Sequence, residues 1–176
     1  MYCLIAGESA IFLAFITAYV FYMGESIGGP TPRQVLTVPV VSTVCLLASS
    51  LTIHLALSSV RGGRSGRFCL FWFGTVALGA AFLAGIGREW AQLINQENFT
   101  MQTSAFGATY YSLIGLHASH VVAGLMALAV VLVLALWGRV KQEHADRCQL
   151  VSLDWHFVDV VWVVIFTVVY VVGRYS

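Results

Sequence analysis

The chain has 176 residues, 59% of them hydrophobic and only 10% charged, with a formal net charge of +1. Soluble domains run at roughly 45–50% apolar and about 25% charged, and nine basic plus eight acidic side chains cannot clothe a soluble surface of this size. A pI near 7.7 leaves no basic face for nucleic acid, and a mean hydropathy of +0.85 points to the bilayer as solvent.

Charges and turn residues divide the sequence into five apolar segments, at about 4–23, 38–60, 68–87, 107–137 and 155–172. Each reaches or approaches the ~20 residues that cross a hydrocarbon core of ~30 Å. Backbone groups in lipid must bond within their own segment, so the expected fold is all-α: one integral membrane domain, 1–176, of five transmembrane helices. The first segment carries Glu8 and has neither a charged leader region nor an A-x-A site, so a cleaved signal peptide is not expected. The loop GESIGGPTPR follows it, and Arg61, Arg64 and Arg67 separate the second segment from the third. A loop from Arg88 to Asn98 is expected after the third, and Arg139, Lys141 and Arg147 lie between the fourth and fifth. One side thus holds six basic residues, against Arg33, Arg88 and Arg174 on the other, which predicts the N-terminus inside and the C-terminus outside. The four cysteines form no CxxC pair, and three of them lie in apolar runs as small hydrophobes.

A charged group within a span costs about 2.5–3.5 kcal/mol on insertion scales, so each asks for a reason. Glu8 is either a proton-active or lipid-facing carboxyl or a paired acid holding two helices together. His117 and His120 share a helix face. They suit a metal or haem iron, but the other histidines (His54, His144, His156) are isolated, which favours hydrogen bonds across a helix interface. The last segment opens with Asp154-Trp155-His156-Phe157-Val158-Asp159-Val160-Val161-Trp162. Trp155, Asp159 and Trp162 form one stripe, and His156 and Asp159, at i and i+3, are placed to hydrogen-bond. This is a proton relay or, more simply, an anchored contact with a partner. His54 is expected at a packed interface, and Glu89 and Trp90 at a solvated cap where the third helix leaves the membrane. Ala48, Ser49, Ser50, Gly74 and Gly79 suit close helix packing.

These strings carry a resemblance. Trp155-His-Phe-Val-Asp-Val-Val-Trp162 closely resembles the signature on the last helix of subunit III of haem-copper oxidases. Tyr110 to Gly124, with its G-x-H-x-x-H core, resembles another helix of that family; Gly7-Glu8-Ser9 sits where the family carries an intramembrane carboxylate. Ser42 to His54, and Gly28-Gly-Pro-Thr before it, are similar to the short form of several bacterial oxidases. The resemblance spans essentially the whole chain and matches the last five helices of the family's seven-helix form. It implies an accessory subunit of a terminal oxidase in the bacterial plasma membrane, with no catalytic residue, haem or metal of its own. Haem and copper are expected in the partner subunits. It implies direct contact with subunit I, assembly with subunit II and further respiratory subunits, bound phospholipid, and support of proton uptake. Glu8, His117, His120, His156 and Asp159 become lipid- or proton-active candidates, and Trp155 and Trp162 partner-interface candidates. A subunit III-like protein of a nitric oxide reductase, and an independent haem or metal membrane protein using His117 and His120, are the alternative readings. The family carries more helix before its acid than the seven residues that precede Glu8 here, and its lipid cleft is partly built by the two helices that this chain does not match.

Overall fold

The computed structural model describes residues 2–24, 39–96, 105–140 and 142–172. Among them are five helices long and apolar enough to cross a membrane. They are α1 (Tyr2–Gly24), α2 (Val40–Arg61), α3 (Ser65–Gln96), α4 (Ala105–Leu136) and α5 (Ala145–Phe166). A 3-10 turn at Gln142–His144 leads into α5, and a π-helical stretch, Thr167–Val172, continues it. The loop at 25–33, with Arg33, and also Lys141 and Arg174 lie outside the described residues.

Two helices are longer than composition suggests. The expected loop after the third segment is largely helix, because α3 runs on to Gln96. Its buried stripe continues through Phe82, Ile86, Glu89 and Leu93 at spacings of four, three and four, so one face stays packed past the first charges. Similarly, α5 begins ten residues before Trp155, at Ala145. Ala145, Cys148, Ser152 and Trp155 are buried at helical spacing, while polar residues on the other face break the apolar run.

The ends of α2 and α4 share one device. Gly63 (φ +67°) and Gly138 (φ +71°) take left-handed backbone, which glycine adopts without a Cβ penalty. In each turn the next amide reaches back five residues, Arg64 N–H to Ser59 O and Arg139 N–H to Leu134 O, both at 3.0 Å. These are Schellman stops, and each hands the chain directly to an arginine.

The fold divides into two compact units. The first contains α1, α3 from Ile86, α4 up to Ser119 and α5 from Val160; the second contains α2, α3 up to Gly85, α4 from His120 and α5 up to Asp159. Within the second, close approach is written into glycines. A Cβ on Gly79 would lie 2.7 Å from Trp155 Cη2, one on Gly124 3.0 Å from Trp155 Cε3, and one on Gly85 would run into Ser42 Oγ. Small residues let helix backbones meet where lipid offers no hydrophobic drive.

Candidate functional site

Each unit holds one buried polar cluster. In the second unit the cluster joins α2 to α5. Trp155, 1% exposed, inserts its indole over Gly79 and Gly124 and donates from Nε1 to Ser49 Oγ at 2.9 Å. Ser49 in turn donates to Leu46 O at 2.6 Å. One residue along, Ser50 donates to Asp159 Oδ2, and its Oγ stands 2.9 Å from His156 Nδ1. With its hydrogen given to Asp159, the Ser50 oxygen accepts from His156, which places the imidazole hydrogen on Nδ1. His156 and Asp159 themselves are 3.9 Å apart, too far for a direct hydrogen bond. The expected i, i+3 pair is therefore bridged by a serine from another helix. Asp159 is 4% exposed, and its Oδ1 has no hydrogen-bond partner among the described residues. Thr52 and Thr75, 2.8 Å apart, and Trp72 Nε1 to Leu128 O at 2.9 Å add polar ties between helices of this unit.

In the first unit the cluster is Glu89, Tyr110 and Tyr170. Tyr170 donates to Glu89 Oε1 at 2.7 Å, Tyr110 donates to the same oxygen at 3.4 Å, and the two hydroxyls are 3.3 Å apart. Tyr170 lies on the π-helical stretch, whose wider turn changes the direction of its side chain relative to a regular helix. Glu89 is 6% exposed, which replaces the expected solvated cap with a buried hydrogen-bonded acid. Trp90 is half-buried and meets Tyr111 edge-on, ring centroids 5.4 Å apart. His117, fully buried, stacks on Trp162 at 5.0 Å and meets the Phe12 ring at 6.3 Å.

The sequence candidates thus separate. His156, Asp159 and Trp155 belong to the second unit, and His117 and Trp162 to the first. His120 is half-buried, in the second unit, within electrostatic reach of Asp154. Glu8 is half-buried on α1, whereas His54, expected at a packed interface, is exposed. Among the described residues no three His, Cys, Asp or Glu side chains come together in a way that could hold a metal. Cys45, Cys69 and Cys148 are free thiols, the last buried. Sequence reasoning passed over Ser50, Tyr110 and Tyr170 as site members. For Ser50 the Ser49–Ser50 pair in mid-span was the available signal.

The family model for cytochrome c oxidase subunit III matches residues 4–174. The chain belongs to that family. It is 35% identical over 171 residues to cytochrome c oxidase subunit 3 of Alkalihalophilus pseudofirmus, covering 96% of this chain and 83% of the relative. Subunit 3 of the cytochrome bo(3) ubiquinol oxidase of Pseudomonas aeruginosa is 36% identical over 170 residues, covering 94% and 80%. Cytochrome c oxidase subunit 3 of Bacillus subtilis is 34% identical over 172 residues, covering 96% and 83%. Both family strings lie on the helices described above: the 110–124 string on α4, the 155–162 string on α5. With five spans and this family, the chain is a multi-pass membrane protein.

Proposed function

We propose that the chain is a non-catalytic subunit III of a bacterial haem-copper terminal oxidase, of the cytochrome c oxidase type. In this reading it lies in the plasma membrane with its N-terminus inside and its C-terminus outside. It contacts subunit I directly and assembles with subunit II and further respiratory subunits. It supports aerobic electron transport and proton uptake by subunit I, binds phospholipid, and carries neither haem nor copper itself. The observation that carries the accessory reading is how the signature residues are used. Trp155, His156 and Asp159 bond to Ser49 and Ser50 of α2, and His117 packs its ring against Trp162 and Phe12. Of the two imidazoles offered for a cofactor, His117 is packed against rings from α1 and α5. The orientation is supported by Arg64 and Arg139 following the two Schellman stops, with Arg61 and Arg147 close by in sequence.

The test is affinity purification of the tagged chain from its native membrane, with oxygen-uptake and nitric oxide assays on the product. A partner with haem and copper and oxygen uptake supports the proposal; nitric oxide reduction in its place would assign the chain to a reductase. The chain purified alone should show no Soret band and no stoichiometric copper. One equivalent of either would replace the accessory reading with an independent redox protein.

A further inference from the structure

One face of α2 takes no part in either buried cluster. Val44, Leu47, Leu51, His54 and Ser58 follow one another at spacings of three and four, and all five are exposed. Three are apolar, as a surface within the hydrocarbon requires. Ser58 satisfies its hydroxyl on its own helix, at Leu55 O, 2.9 Å away. His54 has no such outlet: no hydrogen bond reaches its ring among the described residues. Nor does water lie within its reach. It stands fourteen residues after Val40 and seven before Arg61, the two ends of α2, roughly 21 and 10 Å at helical rise. A ring carried on one methylene spans neither distance. Ionisable groups in a span face the interior of the bundle or a polar partner, and His54 points outwards.

A second imidazole opens beside it. His156 has a side chain 37% exposed, and its Nδ1 hydrogen goes to Ser50, one turn of α2 away from His54. The two rings are within electrostatic reach of each other. With Nδ1 protonated, His156 Nε2 is an acceptor, and a neutral His54 adds one donor and one acceptor. Asp159, the acid of this cluster, is buried and turned to the Ser50 hydroxyl. The surface therefore shows two basic rings set in an apolar stripe, with no acid of its own beside them.

We infer that this face of α2 docks against a membrane-spanning helix of a neighbouring subunit, one that brings an Asp or Glu carboxyl to His54 and His156. A carboxyl serves both rings. Protonated, it donates to one and accepts from the other; with its proton passed to His54, the two form an ion pair of no net charge. A lipid tail offers neither bond, and an amide or hydroxyl matches the hydrogen bonds but not the charge. Leu47 and Leu51 supply the apolar contact on either side of the level at which the polar pair forms. The contact lies within one unit of the fold. It presupposes that the chain is a subunit of a membrane complex, as proposed above, and is independent of the reaction that complex performs.

The experiment uses the whole complex purified through this chain, with a photoreactive benzoylphenylalanine in place of Leu51, one turn from His54 on the same stripe. After irradiation and digestion, mass spectrometry should find the probe joined to a transmembrane peptide of another subunit that contains Asp or Glu. Adducts with lipid or detergent alone, with a second copy of this chain, or with a subunit peptide lacking an acid would overturn the inference. His54→Leu then tests the bond by the sign of its effect. If lipid covers position 54, leucine suits it better than histidine, and the chain should be retained in the complex as well as wild type or better. With a carboxyl facing it, His54→Leu should weaken retention about 3- to 20-fold, the range of hydrogen bonds between membrane helices. Replacing the cross-linked acid by Leu in the same background should recover part of that loss, while Leu47→Met, which keeps the apolar volume, should change little. Unchanged or improved retention in His54→Leu, or no recovery in the double variant, would overturn the proposed contact. Haem, copper and oxygen uptake of the same preparation report the oxidase reading separately, so the two can fail independently.

Discussion

Removing the Ser50 hydroxyl should damage the α2–α5 contact more than removing the Asp159 carboxylate. Ser50→Ala strips Asp159 of the hydrogen bond it receives and leaves His156 Nδ1 without its acceptor. Asp159 Oδ1 already has no partner among the described residues, so the buried carboxyl would keep none there. An unsatisfied buried group costs about 1–3 kcal/mol, whereas hydrogen bonds between membrane helices average about 0.6 and reach about 1.7 kcal/mol. The two ranges together place Ser50→Ala at about 1–2 kcal/mol, roughly 5- to 30-fold in the packing equilibrium. Asp159→Leu leaves the Ser50 oxygen facing His156. The freed hydroxyl hydrogen can turn to the carbonyl four residues back, as Ser59 already does to Leu55 O at 2.8 Å. That change should cost under about 1 kcal/mol. Adding Asp159→Leu to Ser50→Ala should therefore recover part of the loss, because both buried partners then disappear together. The assay is retention of the chain in the purified complex as detergent stringency rises, with oxygen turnover followed over repeated cycles. If the chain carries none of the chemistry, as proposed, its loss should leave initial turnover in place. Turnover that collapses in Asp159→Leu while the chain stays bound would refute the structural role and make Asp159 a proton relay. A double variant no better retained than Ser50→Ala would refute the hydrogen-bond reasoning itself.

Three further outcomes follow from the packing. Gly79→Ala places a Cβ 2.7 Å from the Trp155 ring and should destabilise the second unit by about 1–3 kcal/mol, whereas Gly74→Ala meets only Thr52 Cγ2 at 3.8 Å and should be tolerated; thermal denaturation of the purified complex compares them. Glu89→Leu should cost about 1–3 kcal/mol by leaving the Tyr110 and Tyr170 hydroxyls without their carboxylate; Glu89→Gln, which keeps an acceptor, should cost less in the same measurement. A bilayer-soluble carbodiimide should modify half-buried Glu8 before the exposed acids Glu143 and Asp146 at the start of α5, as read by peptide mass mapping; equal labelling of all three would contradict an intramembrane position for Glu8.

The five spans were legible because the bilayer enforces a single pattern: apolar length, closed by charge or glycine. That rule also produced the errors. Ending the third helix at Arg88 treats the first charges as the membrane boundary, yet Phe82, Ile86, Glu89 and Leu93 keep one face of α3 packed. Starting the fifth at Trp155 misses an amphipathic first half, whose buried positions are as small or polar as Ala145, Cys148 and Ser152. The stripe of Trp155, Asp159 and Trp162 was legible from spacing within one helix, and all three are buried. What touches them was not. Ser49 and Ser50 stand 106 and 109 residues from their partners, and no local period links them.

The two carboxylates buried within α3 and α5 explain why that half of each cluster is hard to read. A charge in a span announces itself by its cost, so Asp159 and Glu89 ask for partners. Both receive hydroxyls, from Ser50 and from Tyr170 with Tyr110. A serine or threonine hydroxyl is cheap to carry into the membrane because it can bond a carbonyl of its own helix. Thr17 does so to Leu13 O, Ser58 to Leu55 O and Thr167 to Val163 O. Sequence alone cannot separate these self-satisfied hydroxyls from Ser50, which turns across to α5. The tyrosines are masked differently, as amphipathic rings common in apolar runs. Substituting serines along α2 one at a time would separate the two kinds: Ser58→Ala should be nearly silent because its hydroxyl serves only its own helix, while Ser50→Ala should release α5. Equal effects at both positions would mean that the hydroxyl joining α2 to α5 is not the element holding the Asp159 cluster together.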